Sequence, residues 1–97
     1  MTNYEVELNG QNYWLEVDGV PRRMGFYTLR YVEAVSPEDA ARAAIRTLRS
    51  HESLANLLNE PSDSPKIYAE DIIELAEAPD LAEVDLSLCF YLDDDDA

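Results

Sequence analysis

Cations, cysteine, histidine and glycine are all scarce in these 97 residues, and each scarcity closes a class of function. Seven Lys and Arg stand against 21 Asp and Glu, a net charge of −14. Nucleic-acid binders and proteins that dock on anionic bilayers both need clustered cations facing phosphate, so neither activity is expected. The lone Cys89 has no disulfide partner in the chain, and the lone His51 has no second histidine or nearby cysteine to complete a zinc site. Glycines occur only at 10, 19 and 25, in turn-like settings and too far apart for a phosphate-cradling loop. No apolar run approaches the ~20 residues of a bilayer span. The opening Met1-Thr2-Asn3-Tyr4-Glu5 lacks the basic start and apolar stretch of a signal peptide, so a reducing, cytoplasmic setting is expected.

Against these absences stand 46% hydrophobic residues and nine aromatics, enough for one folded domain over residues 1–92 ahead of an acidic tail at 93–97. The charge is unevenly divided. Residues 1–50 carry 7 acids and 6 bases, whereas 51–97 carry 14 acids and only Lys66. The tail Asp93-Asp94-Asp95-Asp96 lacks the alternate carboxylates and glycine turn of a calcium loop, so no metal site is assigned there.

Tyr4, Val6 and Leu8 alternate with polar residues, as do Tyr13, Leu15 and Val17, and Asn9-Gly10 between them offers a two-residue turn. The spacing predicts a hairpin with Val6 opposite Tyr13 and Tyr4 opposite Leu15, followed by a loop from Asp18 to Arg23. Gly25 to Val35, with aromatic and β-branched residues on both parities, predicts a central strand. Ser36-Pro37-Glu38-Asp39 is a helix start, with a hydroxyl cap, proline at the first position and acids at the positive end of the dipole. The helix is predicted over 37–50, with Leu54, Leu57 and Leu58 suggesting a short second one over 53–59. After a loop at 60–65, residues 66–77 fit either a helical stripe or an alternation of Ile67, Ala69, Ile73 and Leu75, and a strand is the reading adopted. Val84, Leu86, Leu88, Phe90 and Leu92 predict a last strand, half buried, with Cys89 on its outward parity.

The expected fold is therefore α+β, in the order β-β-β-α-β-β. It is a mainly antiparallel sheet with one helix packed across it, partly ferredoxin-like, in which strands 25–35 and 66–77 run parallel through the helical crossover. A small Sm-like or OB-like barrel is the alternative.

The stretch from Gly25 to Ala34, running into Ser36-Pro37-Glu38-Asp39-Ala40-Ala41, resembles small bacterial proteins of unknown function in which such a strand enters a helix opened by Ser-Pro-Glu. It also resembles antitoxin domains of the HicB type, whose order is three strands, an acidic helix and a further strand. The likeness spans about a third of the chain, and no functional residue is carried over from it.

No catalytic, cofactor-binding or metal-ligating set stands out. Carboxylate pairs such as Glu70 with Asp71 are uninformative among 21 acids. One positive cluster remains, in which Arg22, Arg23 and Arg30 interleave with Phe26, Tyr27 and Tyr31, and Arg42, Arg46 and Arg49 would extend it if they shared its face. These residues are the expected contact surface of a noncatalytic protein-interaction or assembly module, self-associating as a homodimer. The alternative is an acidic decoy whose second half imitates phosphate spacing and captures a basic, nucleic-acid-binding partner.

Overall fold

The computed structural model describes residues 1–54, 57–80 and 86–92, and shows a four-stranded antiparallel sheet with one α-helix against it. Strand β1 spans Thr2–Val17, β2 Val20–Ala34, helix α1 Pro37–Arg49, β3 Lys66–Leu75 and β4 Cys89–Leu92. Their order across the sheet is β3-β1-β2-β4.

The first expectation to fall is the Asn9-Gly10 turn. Strand β1 runs straight through both residues, which pair with Tyr27 and Phe26 on β2 and with Tyr68 and Ile67 on β3. The reversal lies instead at Asp18-Gly19, where both residues have positive φ (52° and 81°) and Val17 faces Val20, the two-residue turn whose twist suits a hairpin. Two predicted strands are thus one, and the order is β-β-α-β-β. The expected register disappears with the turn: Val6 pairs with Arg30 and Tyr4 with Val32. Asn9 and Gly10 have other work. The Asn9 side chain is buried and hydrogen-bonded, and the Phe26 ring lies directly over Gly10, where an added Cβ would sit 2.1 Å from it.

Both β2 and β3 pair antiparallel to β1, so they run in the same direction with β1 between them. The helix joins them as a crossover, preceded by a plain hairpin, and the ferredoxin-like likeness gains no support from this order. Strands β3 and β4 form opposite edges of an open sheet. The described residues do not close on each other as a barrel would.

Beyond Gln11, where β3 begins, the loop takes over as the neighbour of β1. Leu58 donates its N–H to the Trp14 carbonyl at 2.8 Å, and the Asn59 amide bridges Trp14 N–H and the Asn12 carbonyl. Asn12, at φ 62°, marks the irregularity that shifts the β1–β2 register there. Where the second helix is predicted, the described residues show a 3₁₀ turn at Glu52–Leu54 and no helix over 57–60, while residues 55 and 56 lie outside the described residues. Of the last predicted strand only Cys89–Leu92 is paired, with Phe90 and Leu92 exposed, and 86–88 is not strand; residues 84 and 85 lie outside the described residues, as does the tail 93–97.

Helix α1 follows its sequence signals closely. The Ser36 hydroxyl accepts the Asp39 N–H at 3.2 Å, and Ala40, Ala44 and Leu48 are buried along one stripe. That stripe packs on the inner sheet face, whose core comprises Tyr4, Val6, Leu8, Tyr13 and Phe26, with Ile67, Ala69 and Ile72 partly buried against it. No described helix is long and apolar enough to cross a membrane.

Candidate functional site

With the helix covering one sheet face, alternate residues of each strand face outward. On β1 these are Asn3, Glu5, Glu7, Asn9 and Gln11, a polar strip along the middle of the sheet. The register sets Tyr31, Leu29 and Tyr27 of β2 beside Glu5, Glu7 and Asn9. On the other side Leu75, Ile73 and Tyr68 of β3 lie beside Asn3, Glu5 and Asn9, with Asp71 beside Glu7. The outer face is thus a carboxylate strip between two columns that are largely apolar, about 10 Å apart across two strand spacings. Tyr27, Tyr68 and Ile73 are 49%, 43% and 46% exposed, far more than packed sheet residues.

One end of the face is fixed by hydrogen bonds. The buried Asn9 amide donates to the Phe26 carbonyl at 3.0 Å and to the Tyr91 hydroxyl at 2.8 Å, while its oxygen accepts from Gln11 at 2.7 Å. Tyr91 in turn stacks on Tyr27, with centroids 5.2 Å apart, and this neighbour is the main reason the Tyr27 hydroxyl is harder to ionise than usual. Further along, Tyr31 donates to Glu5 Oε1 at 3.3 Å; burial first, then the Glu5 charge, raises its pKa. Between Tyr27 and the 86–89 segment lies a shallow depression of about 210 Å³, lined by Glu7, Tyr27, Leu29, Ser87 and Cys89 among others. Aromatic rings beside exposed carboxylates suit a cationic, partly apolar partner surface.

The predicted contact residues are divided by strand alternation. Tyr27 and Tyr31 lie on the outer face. Phe26, of opposite parity, is wholly buried in the core and cannot meet a partner. Arg30 is 7% exposed, and its guanidinium donates to Thr28 Oγ1, the Leu29 carbonyl and the Leu86 carbonyl. Burial lowers its pKa, and it holds the 86–87 segment on β2 instead of offering charge to solvent. Arg22 is exposed and Arg23 half-buried, opposite Leu15 and Trp14 near the hairpin tip. Nor do the helix arginines extend the patch: α1 packs on the inner face, so exposed Arg42, Arg46 and Arg49 lie on the far side of the molecule. There, with Ile45, they line a depression of about 330 Å³.

Tyr68, Ile73 and Leu75 were not among the expected surface residues, because simple alternation groups Ile73 and Leu75 with Ile67 and Ala69. The β1–β3 register slips between Glu7 and Leu8, leaving Glu70 unpaired and switching the parity, so Ile72 turns inward and Ile73 outward. A sequence signal existed in the Ile72-Ile73 pair, which no uninterrupted alternation accommodates.

Among the described residues no group of three or more His, Cys, Asp or Glu is arranged to hold a metal ion. Cys89 is exposed on the outward parity expected of it, and His51 follows the helix end, donating its N–H to the Leu48 carbonyl at 2.9 Å. Of the acids in the second half, Glu70, Asp71 and Glu74 lie on edge strand β3, while residues 83, 85 and 93–96 lie outside the described residues. Set against protein-family models, curated proteins and solved structures, the chain matches none of them.

Proposed function

We propose that the chain is a noncatalytic assembly module that associates with copies of itself through the outer face of its sheet. The observation that carries this reading is the pair of columns flanking β1, in which Tyr27 on one side and Tyr68 and Ile73 on the other are exposed, with Leu29, Tyr31 and Leu75 half-buried beside them. Large side chains exposed together on one sheet face mark a contact site, and tyrosines supply large contact area at low entropic cost. The inner face is filled by the helix, so the outer face, with its aromatic and aliphatic columns beside the carboxylate strip, is the sheet surface still open among the described residues.

Sedimentation velocity from about 10 μM to about 1 mM tests the reading. The wild-type chain should gain mass with concentration. Tyr68→Thr/Ile73→Thr, which keeps strand-compatible residues at two exposed positions, should remain monomeric with little change in melting temperature. A wild-type chain that is monomeric throughout, or a folded double variant with the wild-type mass profile, overturns it.

A further inference from the structure

The two faces of the molecule differ in charge as well as in composition. Outside the helix, Arg42, Arg46 and Arg49 are exposed on successive turns, with half-buried Ile45 among them. On the outer sheet face, half-buried Glu5 and exposed Glu7 lie between the two columns, and exposed Asp71 interrupts the β3 column beside Glu7. Within one molecule these faces point away from each other, because the sheet and the helix layer stand between them.

Resting on the self-association proposed above, we infer that its partner surface is the arginine face of α1 in a second copy, so that chains join head to tail. Three features favour this occupant. The first is sign: a sheet-on-sheet dimer would set Glu5, Glu7 and Asp71 against carboxylates of their own kind, whereas the helix face brings opposite charge. The second is spacing. Arg42 and Arg46 are separated by four helical rises, about 6 Å, and Glu5 and Glu7 by two strand rises, nearly 7 Å, so two pairs can form in one alignment. The third is width: a helix about 10–12 Å across, lying over the β1 strip, covers the carboxylates and reaches both flanking columns, whose strands are about 10 Å apart, with Ile45 and the arginine stems against tyrosine rings.

The geometry also sets the symmetry. Because donor and acceptor faces lie on opposite sides of the molecule, each contact leaves one helix face and one sheet face free. Such a heterologous contact continues into a ring or an open stack instead of stopping at two. On this inference the assembly is larger than the homodimer expected from sequence.

Charge reversal tests this. Arg42→Glu/Arg46→Glu has two acidic faces, and Glu5→Lys/Glu7→Lys has two basic ones. Each variant alone, shown folded by circular dichroism, should lose self-association by at least about tenfold in apparent Kd. Mixed in equal amounts they should recover it, because each then offers the sign the other lacks. Wild type should pass beyond the mass of a dimer as concentration rises. The inference is overturned if Arg42→Glu/Arg46→Glu associates as wild type does, if the mixture stays monomeric, or if wild-type mass levels off at a dimer. If the helix variant behaves as wild type while Tyr68→Thr/Ile73→Thr is monomeric, the head-to-tail contact alone fails and the sheet face keeps its assembly role. A monomeric wild type removes both.

Discussion

Gly10 shows what a single residue contributes when its surroundings decide its meaning. Three atoms of the Phe26 ring lie within 2.7 Å of where a Cβ would stand, and Phe26 is wholly buried, with the Tyr13 and Phe90 rings beside it. Gly10→Ala would stiffen the unfolded chain, a gain of about 0.5–1 kcal/mol. Displacing a packed core ring costs about 1–3 kcal/mol, so the net effect should be destabilising. A fall of about 5–15 °C in melting temperature is expected from a calorimetric scan. Gly25→Ala is the control: its Cβ would meet the Tyr91 ring at 2.3 Å, but Tyr91 is half-buried on a four-residue edge strand and can move aside. The idea fails if Gly10→Ala melts within a degree or two of wild type, or if Gly25→Ala is the more damaging change. The same glycine explains why sequence reading misplaced the hairpin. Asn9-Gly10 and Asp18-Gly19 carry equivalent turn chemistry, and what separates them is a ring from a strand 16 positions away, which local residue types do not reveal.

Among the elements, those whose signals are local were legible and those that depend on pairing were not. Helix α1 needed no partner to be recognised: cap, first-turn proline, acids at its start and an apolar stripe agree. Ser36→Ala tests the cap, whose Oγ accepts the Asp39 N–H at 3.2 Å. A loss of about 1 kcal/mol is expected in urea unfolding, with an unchanged slope against denaturant; Ser36→Asp should retain most of the stability. Equal losses for both substitutions would show that the cap contributes little. Strand β3 was identified as a strand, but its outward residues were misassigned because the parity switch at Glu70 is a property of its pairing with β1. The contact surface divided for a related reason: Phe26, Tyr27, Arg30 and Tyr31 are close in sequence, yet alternation sends Phe26 and Arg30 inward and the two tyrosines outward. Reading parity across that strand singles out Tyr27 and Tyr31. It could not supply Tyr68 and Ile73, which reach the same face from a strand some forty residues later.

For the whole molecule, the fold separates charges that the near-neutral first half of the chain holds together: the helix arginines lie on one side, and Glu5 and Glu7, joined by Asp71 of the acidic second half, lie on the other. The excess of −14 remains, in a molecule with a radius of gyration of 14.6 Å. Like charges some 15 Å apart repel by about 0.3 kcal/mol per pair in water, and over so many pairs the total is of order 10 kcal/mol at low ionic strength. The unfolded chain, roughly twice as wide, bears a smaller share, so self-repulsion acts against folding. At 0.15 M salt the screening length of about 8 Å is shorter than most of these separations. Screening also weakens attractive pairs, such as Arg42 with Asp39 at 3.6 Å, but exposed pairs of this kind contribute about 0.5 kcal/mol or less. Repulsion therefore dominates, and the melting temperature should rise between about 10 mM and 150 mM NaCl. Association would confuse the comparison, so it is best made at low micromolar concentration and repeated with Arg42→Glu/Arg46→Glu. Each exchange there shifts the charge by −2, taking −14 to −18, and the rise with salt should be steeper than for wild type. A melting temperature that falls with salt in both proteins would mean that attractive pairs outweigh the acidic excess.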